Sequence, residues 1–113
     1  MAGNLALMKA AGKLALRLPN TDEGVACAGT ALESRTIRAS GKAFLFLRPT
    51  ELRLKLGKSL PAAKKLAAKD PDRCQAGAGG WVKLVLTPGP STPPAFLVLW
   101  IAESHRLVSP KTG

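Results

Sequence analysis

Thr36-Ile37-Arg38-Ala39-Ser40-Gly41-Lys42-Ala43-Phe44-Leu45-Phe46-Leu47-Arg48-Pro49-Thr50-Glu51-Leu52-Arg53-Leu54-Lys55-Leu56 decides the fold of this chain. Two short gaps divide the stretch. Ser40-Gly41 sits between apolar-rich runs, which is a hairpin signal. Pro49-Thr50 makes a second break. After it Leu52, Leu54 and Leu56 alternate with Arg53 and Lys55, the period of a half-buried strand with a cationic outer face. Phe44-Leu45-Phe46-Leu47 is apolar on both faces, so that strand is either central and covered twice or part of a partner surface.

Working outward, Leu7, Ala11, Leu14 and Leu18 follow helical spacing, with Lys9, Lys13 and Arg17 on the opposite face and Pro19 as the stop. This basic, acid-free segment has a faint look of a transit peptide, but its spacing favours the first helix of the domain. Lys9 and Lys13 interrupt any secretory signal. Residues 20–30 are polar and small and read as loop. Ser59 suits the cap of a helix from Leu60 to Lys69, with Pro61 in its first turn and Asp70-Pro71 as its end. Arg73 to Ala76 is a short extended stretch, Gly77-Ala78-Gly79-Gly80 a hairpin turn, and Trp81 to Thr87 a strand. Four prolines between Pro88 and Pro94 make a stiff loop. Ala95 to Val108 reads two ways: strand by its Leu-Val-Leu-Trp-Ile run, helix by its length and the spacing of Phe96, Trp100 and Leu107. The order expected is α-β-β-β-α-β-β-α: one α+β domain over residues 1–113, an antiparallel sheet layered with helices.

Composition narrows the function. The 113 residues are 46 % apolar and 4 % aromatic, with one His, two Cys and no Tyr. Such a chain holds one core, at a radius of gyration of roughly 13 Å. Its His and Cys leave little for a metal site, and no cofactor is implied. Cys27 and Cys74 read as reduced thiols of a cytoplasmic protein. Ala95 to Ala102 is the longest apolar run, and a spanning helix needs about 20 residues, so no membrane partner is expected.

Several motifs resemble chemistry without meeting its requirements. Gly57-Lys58-Ser59 lies between strand and helix as a phosphate loop does, but Leu52 stands where that loop needs its first glycine. A weak anion site at that helix N-terminus is all it leaves. Gly77, Gly79 and Gly80 precede a strand, whereas a dinucleotide loop precedes a helix. His105 with Cys27 or Cys74 would form a nucleophilic dyad, but no third group orients the imidazole, which reads as a helix-surface side chain beside structural thiols. Asp22 and Glu23 point apart in an extended chain. Trp81 and Trp100 read as core or half-buried rings, since a stacking platform wants several exposed aromatics on adjacent strands. No catalytic residue emerges, and the chain is read as non-enzymatic.

Charge remains. The net charge is +10, and residues 35–69 hold ten Lys and Arg against one acid, Glu51. Charge kept for solubility is usually interspersed with acids. Arg35, Arg38, Lys42, Arg53 and Lys55 on the sheet, with Lys58, Lys64 and Lys65 near the second helix, are the candidates for phosphate contacts to DNA or another polyanion. The competing reading is a protein-interaction or homodimerising module that uses the Phe44–Leu47 strand and the apolar last element.

The order of several short motifs also resembles the YjbR-like (MmcQ/YjbR) family. They are Leu18-Pro19 through Glu23, Arg38 to Lys42 with Gly41-Lys42-Ala43-Phe44, Leu54-Lys55-Leu56, Trp81-Val82, and Glu103-Ser104-His105-Arg106-Leu107-Val108 with Pro110-Lys111. Glu23-Gly24-Val25-Ala26-Cys27 through Glu33 is similar to one subgroup. His105 stands where that family carries an aromatic. The resemblance spans Leu5 to Lys111. It implies an α+β domain similar to frataxin-type or secretion-chaperone folds, a helical last element and a DNA-binding role, with no catalytic residue or cofactor.

Overall fold

Both gaps in the deciding stretch are tight hairpins in the computed structural model, which describes residues 3–26, 29 and 34–109. Strand β2 (Ser34–Ala39) turns through Ser40 and Gly41 into β3 (Lys42–Arg48). Both turn residues have positive φ, 52° and 85°. That is the left-handed pair of a type I′ turn, whose twist matches the strands it joins. Pro49-Thr50 then leads into β4 (Glu51–Lys55), with Arg48 opposite Glu51.

The sheet has six antiparallel strands in the order β1-β2-β3-β4-β6-β5, not the five expected. The added strand, β1 (Thr21–Ala26), lies in the segment read as loop. Asp, Glu and Gly disfavour strands, but pairing with β2 supplies what propensity lacks. Asp22 faces Arg38 across the ladder, and Glu23, opposite Ile37, pairs diagonally with Arg35 two residues away. The hairpin of β5 (Cys74–Ala76) and β6 (Trp81–Val85) closes the other side, with β6 beside β4 and β5 at the edge. Helices α1 (Leu5–Leu16), α2 (Leu60–Lys69) and α3 (Ala95–Val108) complete the domain, so the ambiguous last element is a helix.

The two-faced apolar run is explained by a bulge. Ile37 faces Leu45 while Arg38 faces Ala43, so Phe44 is an extra residue. A bulge re-aims side chains, and here Phe44 and Leu45 are both fully buried, as is Leu47. Three of the four are thus core residues, and Phe46 alone points away from the core. The core rows run straight across the ladders: Ile37, Leu45, Leu54 and Val82, then Leu47, Leu52, Leu84 and Cys74.

α1 and α3 pack on the face bearing those rows. α1 buries Met8, Ala11, Gly12 and Ala15, while Leu7, Leu14 and Leu18 flank the contact. Small residues bring the helix close: a Cβ at Gly12 would lie 3.0 Å from Leu47. Asn4, unremarked in the sequence, caps α1 by accepting from Leu7 N–H (2.9 Å). α3 buries Leu97, Trp100, Ile101 and Ser104, one i, i+3, i+4, i+7 stripe, and leaves Phe96 and Leu107 at its margins.

Ser104 ties α3 into the sheet itself. With Leu45 opposite Leu54, the ladder's next pair would be Phe44 with Lys55. The serine hydroxyl stands between them. Lys55 N–H donates to Ser104 Oγ (2.9 Å), and Ser104 Oγ donates to the Phe44 carbonyl (2.6 Å). Two strand groups beyond the end of the β3–β4 ladder are thus both satisfied.

Candidate functional site

Side-chain alternation sets what the opposite face of the sheet presents. With Leu52, Leu54, Val82 and Leu84 turned to the core, Glu51, Arg53 and Lys55 of β4 and Trp81, Lys83 and Val85 of β6 point outward. Thr36 and Arg38 of β2 and Phe46 and Arg48 of β3 join them. One register row reads Gly24, Thr36, Phe46, Arg53, Lys83, Gln75 across all six strands. Among the described residues no helix covers this face.

Two rings stand at its centre. Phe46 and Trp81 meet edge to face, with centroids 5.6 Å apart. Both are half-buried. With Arg53 they bound a shallow depression of about 350 Å³. A second, of about 230 Å³, opens on the other side of Trp81 between Arg53, Gln75, Gly77 and Lys83. The glycine turn before β6 holds Trp81 in place. Gly80 has φ +85°, its carbonyl accepts from Leu56 N–H (2.8 Å), and a Cβ there would sit 2.5 Å from the Leu56 carbonyl oxygen. Only glycine fits such an approach.

Around the rings lie Arg38, Arg48, Arg53, Lys55 and Lys83. Arg38 Nε pairs with Asp22 (3.0 Å) and Arg53 Nε with Glu51 (2.8 Å). Both guanidinium groups and Asp22 are solvent-exposed, so the Arg38–Asp22 pair is weak and can exchange for another anion, while Glu51 is largely covered. Lys55 and Lys83 make no ion pair among the described residues.

The eight sequence candidates therefore separate. Arg38, Arg53 and Lys55 share the open face. Arg35 does not: it shares the face of Ile37 and points to the helical side, where Glu23 neutralises it. Lys42 stands at the end of the β2–β3 hairpin. Lys58 lies in the turn before α2, and Lys64 and Lys65 lie on the exposed side of α2, which packs against β5 on the core side through Ala63 and Cys74. Density along the chain does not become density in space, because consecutive strand residues alternate faces and the helix lies elsewhere. Lys83, absent from those candidates, joins the cluster. The signal for it was the alternation Trp81, Lys83, Val85 against Val82 and Leu84.

The Gly57-Lys58-Ser59 turn already holds an anion. Glu103 of α3 is buried beneath it and accepts from Gly57 N–H (2.9 Å), Ser59 N–H (2.9 Å) and Ser59 Oγ (2.7 Å). Ser59 makes no side-chain bond to the backbone of α2, so its expected capping role passes to this carboxylate. Burial pushes the Glu103 carboxyl up, but these hydrogen bonds and the charge of Arg106 outweigh it and hold the group below its ordinary value. The anion site expected at this helix N-terminus is thus filled from within the chain.

His105 is buried, not on the helix surface. Its Nε2–H donates to the Pro19 carbonyl (2.8 Å), and its ring packs edge to face on Phe44 at 5.3 Å. Cys74 is engaged elsewhere: its Sγ–H donates to the Ala63 carbonyl (3.6 Å), and burial pushes the thiol up from its ordinary value, away from the reactive thiolate. Cys27 lies outside the described residues. Among the described residues no group of three or more His, Cys, Asp or Glu is placed to hold a metal ion. No helix among them is long and apolar enough to cross a membrane.

One further cavity, of about 230 Å³, lies between the proline loop, the end of β6 and the start of α3. Its wall is drawn together by Asn4 Nδ2, which donates to the Thr87 and Pro90 carbonyls, both at 3.2 Å. Comparison with known proteins returns no matching family model, curated protein or solved structure.

Proposed function

We propose that this chain is a non-enzymatic, cytoplasmic binding domain whose open sheet face engages nucleic acid through its phosphates. The observation that carries the reading is the cluster of Arg38, Arg53, Lys55 and Lys83 on a face that no described helix covers, where Asp22 and Glu51 are the acids among the described residues. Cations spaced across neighbouring strands, about 4.8 Å apart, meet a row of phosphates without reading sequence. The motif order shared with YjbR-like proteins supports the same reading and suggests membership of that family.

Salt dependence tests it. A fluorescein-labelled oligonucleotide followed by polarisation should bind at low ionic strength, and log K should fall with log salt at a slope near −2 to −4 for about three to five phosphates neutralised. A slope near zero, or no binding at 20 mM salt, removes the reading. The alternative is self-association through α3, whose Leu99 is 68 % exposed. A concentration-dependent dimer in sedimentation, indifferent to DNA, would favour it.

A further inference from the structure

We infer that the nucleic acid bound on the open face is single-stranded and that its bases stack on Trp81 and Phe46. This inference rests on the phosphate-binding reading above and adds the class of ligand. Three observations meet at one place. First, the two rings lie on the outer face, where they add nothing to the core rows, yet they meet edge to face with centroids 5.6 Å apart and each keeps part of its surface open. Second, cations surround them: Arg53 lies in the ladder position between Phe46 and Lys83, and Lys55 is paired directly with Trp81. Third, the depressions on the two sides of Trp81 share Arg53 as a common wall, so a ring entering either one has an aromatic surface and a guanidinium beside it.

A duplex keeps its base faces stacked on each other and offers a sheet only phosphates and groove edges. Unstacked bases offer their π-faces, and a cationic groove with interleaved aromatics is the arrangement that binds them without sequence preference. The low aromatic content of the chain does not oppose this, because the rings that matter are adjacent in space: Phe46 and Trp81 come from strands separated in the sheet by β4.

The test uses the full chain, an eight-residue oligothymidylate and a twelve-base-pair duplex. Intrinsic tryptophan emission is followed at low salt; Trp100 is buried and serves as the constant background. The single strand should quench the emission and bind more tightly than the duplex. Trp81→Leu and Phe46→Leu should each weaken single-strand binding about fivefold or more while leaving duplex binding within about twofold. Lys83→Gln should weaken both ligands alike. Equal affinity for the two ligands without quenching overturns the stacking inference and leaves the phosphate reading standing. Absence of binding to either overturns both. A cooperative melt establishes that each variant is folded, and if Trp81→Leu loses it, quenching of the wild type and the Phe46→Leu affinity decide the matter.

Discussion

Removing one hydroxyl should cost this domain a large part of its stability. Ser104→Ala deletes the oxygen that accepts from Lys55 N–H and donates to the Phe44 carbonyl. The residue is fully buried, and the space left by an oxygen atom is too small to admit water with the partners it needs. The β3–β4 pairing ends at Leu45 and Leu54, so the two strand groups are not ladder partners of each other. The carbonyl therefore loses its partner in the interior, a penalty of about 1–3 kcal/mol, and the half-buried N–H adds about 1 kcal/mol. The expected loss is about 2–4 kcal/mol in urea unfolding at pH 7, with an unchanged m-value. Ser109→Ala is the control. Its hydroxyl also donates to a carbonyl, that of His105 (2.6 Å), but at the fraying end of α3, so its loss should stay within about 0.5 kcal/mol. If Ser104→Ala costs no more than Ser109→Ala, the inserted hydroxyl does not hold the strands and the account of how α3 is fixed is wrong.

Other consequences follow from the same contacts. Glu103→Gln should destabilise by about 2 kcal/mol at neutral pH, since the hydrogen bonds it weakens run to a charged acceptor. Because the folded carboxyl sits below its ordinary value of 4.5, its stabilising effect is complete above that value and is lost as pH falls through the lowered one. The gap between the two proteins in urea unfolding should therefore close in acid. Gly80→Ala should cost about 2 kcal/mol or more, since its Cβ would meet the Leu56 carbonyl at 2.5 Å, whereas Gly89→Ala, 4.0 Å from its nearest neighbour, should be nearly neutral by thermal melting. Lys55→Gln with Lys83→Gln should weaken oligonucleotide binding and reduce the salt slope by about 1–2, while Lys64→Gln with Lys65→Gln should change neither.

The α+β class, the Ser40-Gly41 hairpin and α2 were legible in local signals: Ser40-Gly41 itself, the alternation after Glu51, and Pro61 with Asp70-Pro71, while Pro49-Thr50 showed a break between two strands. β1 was not. Asp22, Glu23 and Gly24 at its centre disfavour a strand, and its pairing and charge partners lie on β2, eight to eighteen residues along. The Phe44–Leu47 run was ambiguous because a bulge is a property of two strands in register, and no single strand announces it. Glu103 shows the same limit. Its partners Gly57 and Ser59 are over forty residues away, so the phosphate-loop lookalike could be rejected by spacing, but the group that fills it could not be named. On the open face the sequence showed cations and the structure sorted them. Arg35 and Arg38 are near neighbours in the chain and lie on opposite faces, while Arg53 and Lys83 are thirty residues apart and face each other across a ladder.

The central claim is that the outward face of the six-stranded sheet is the binding surface. Amide chemical-shift mapping with the eight-residue oligothymidylate tests it most directly. The account expects perturbations at Phe46, Arg53, Lys55, Trp81 and Lys83 and in the Trp81 indole N–H, with α1, α2 and α3 unmoved. Perturbations centred on Lys64 and Lys65 of α2, or on α3, would contradict it.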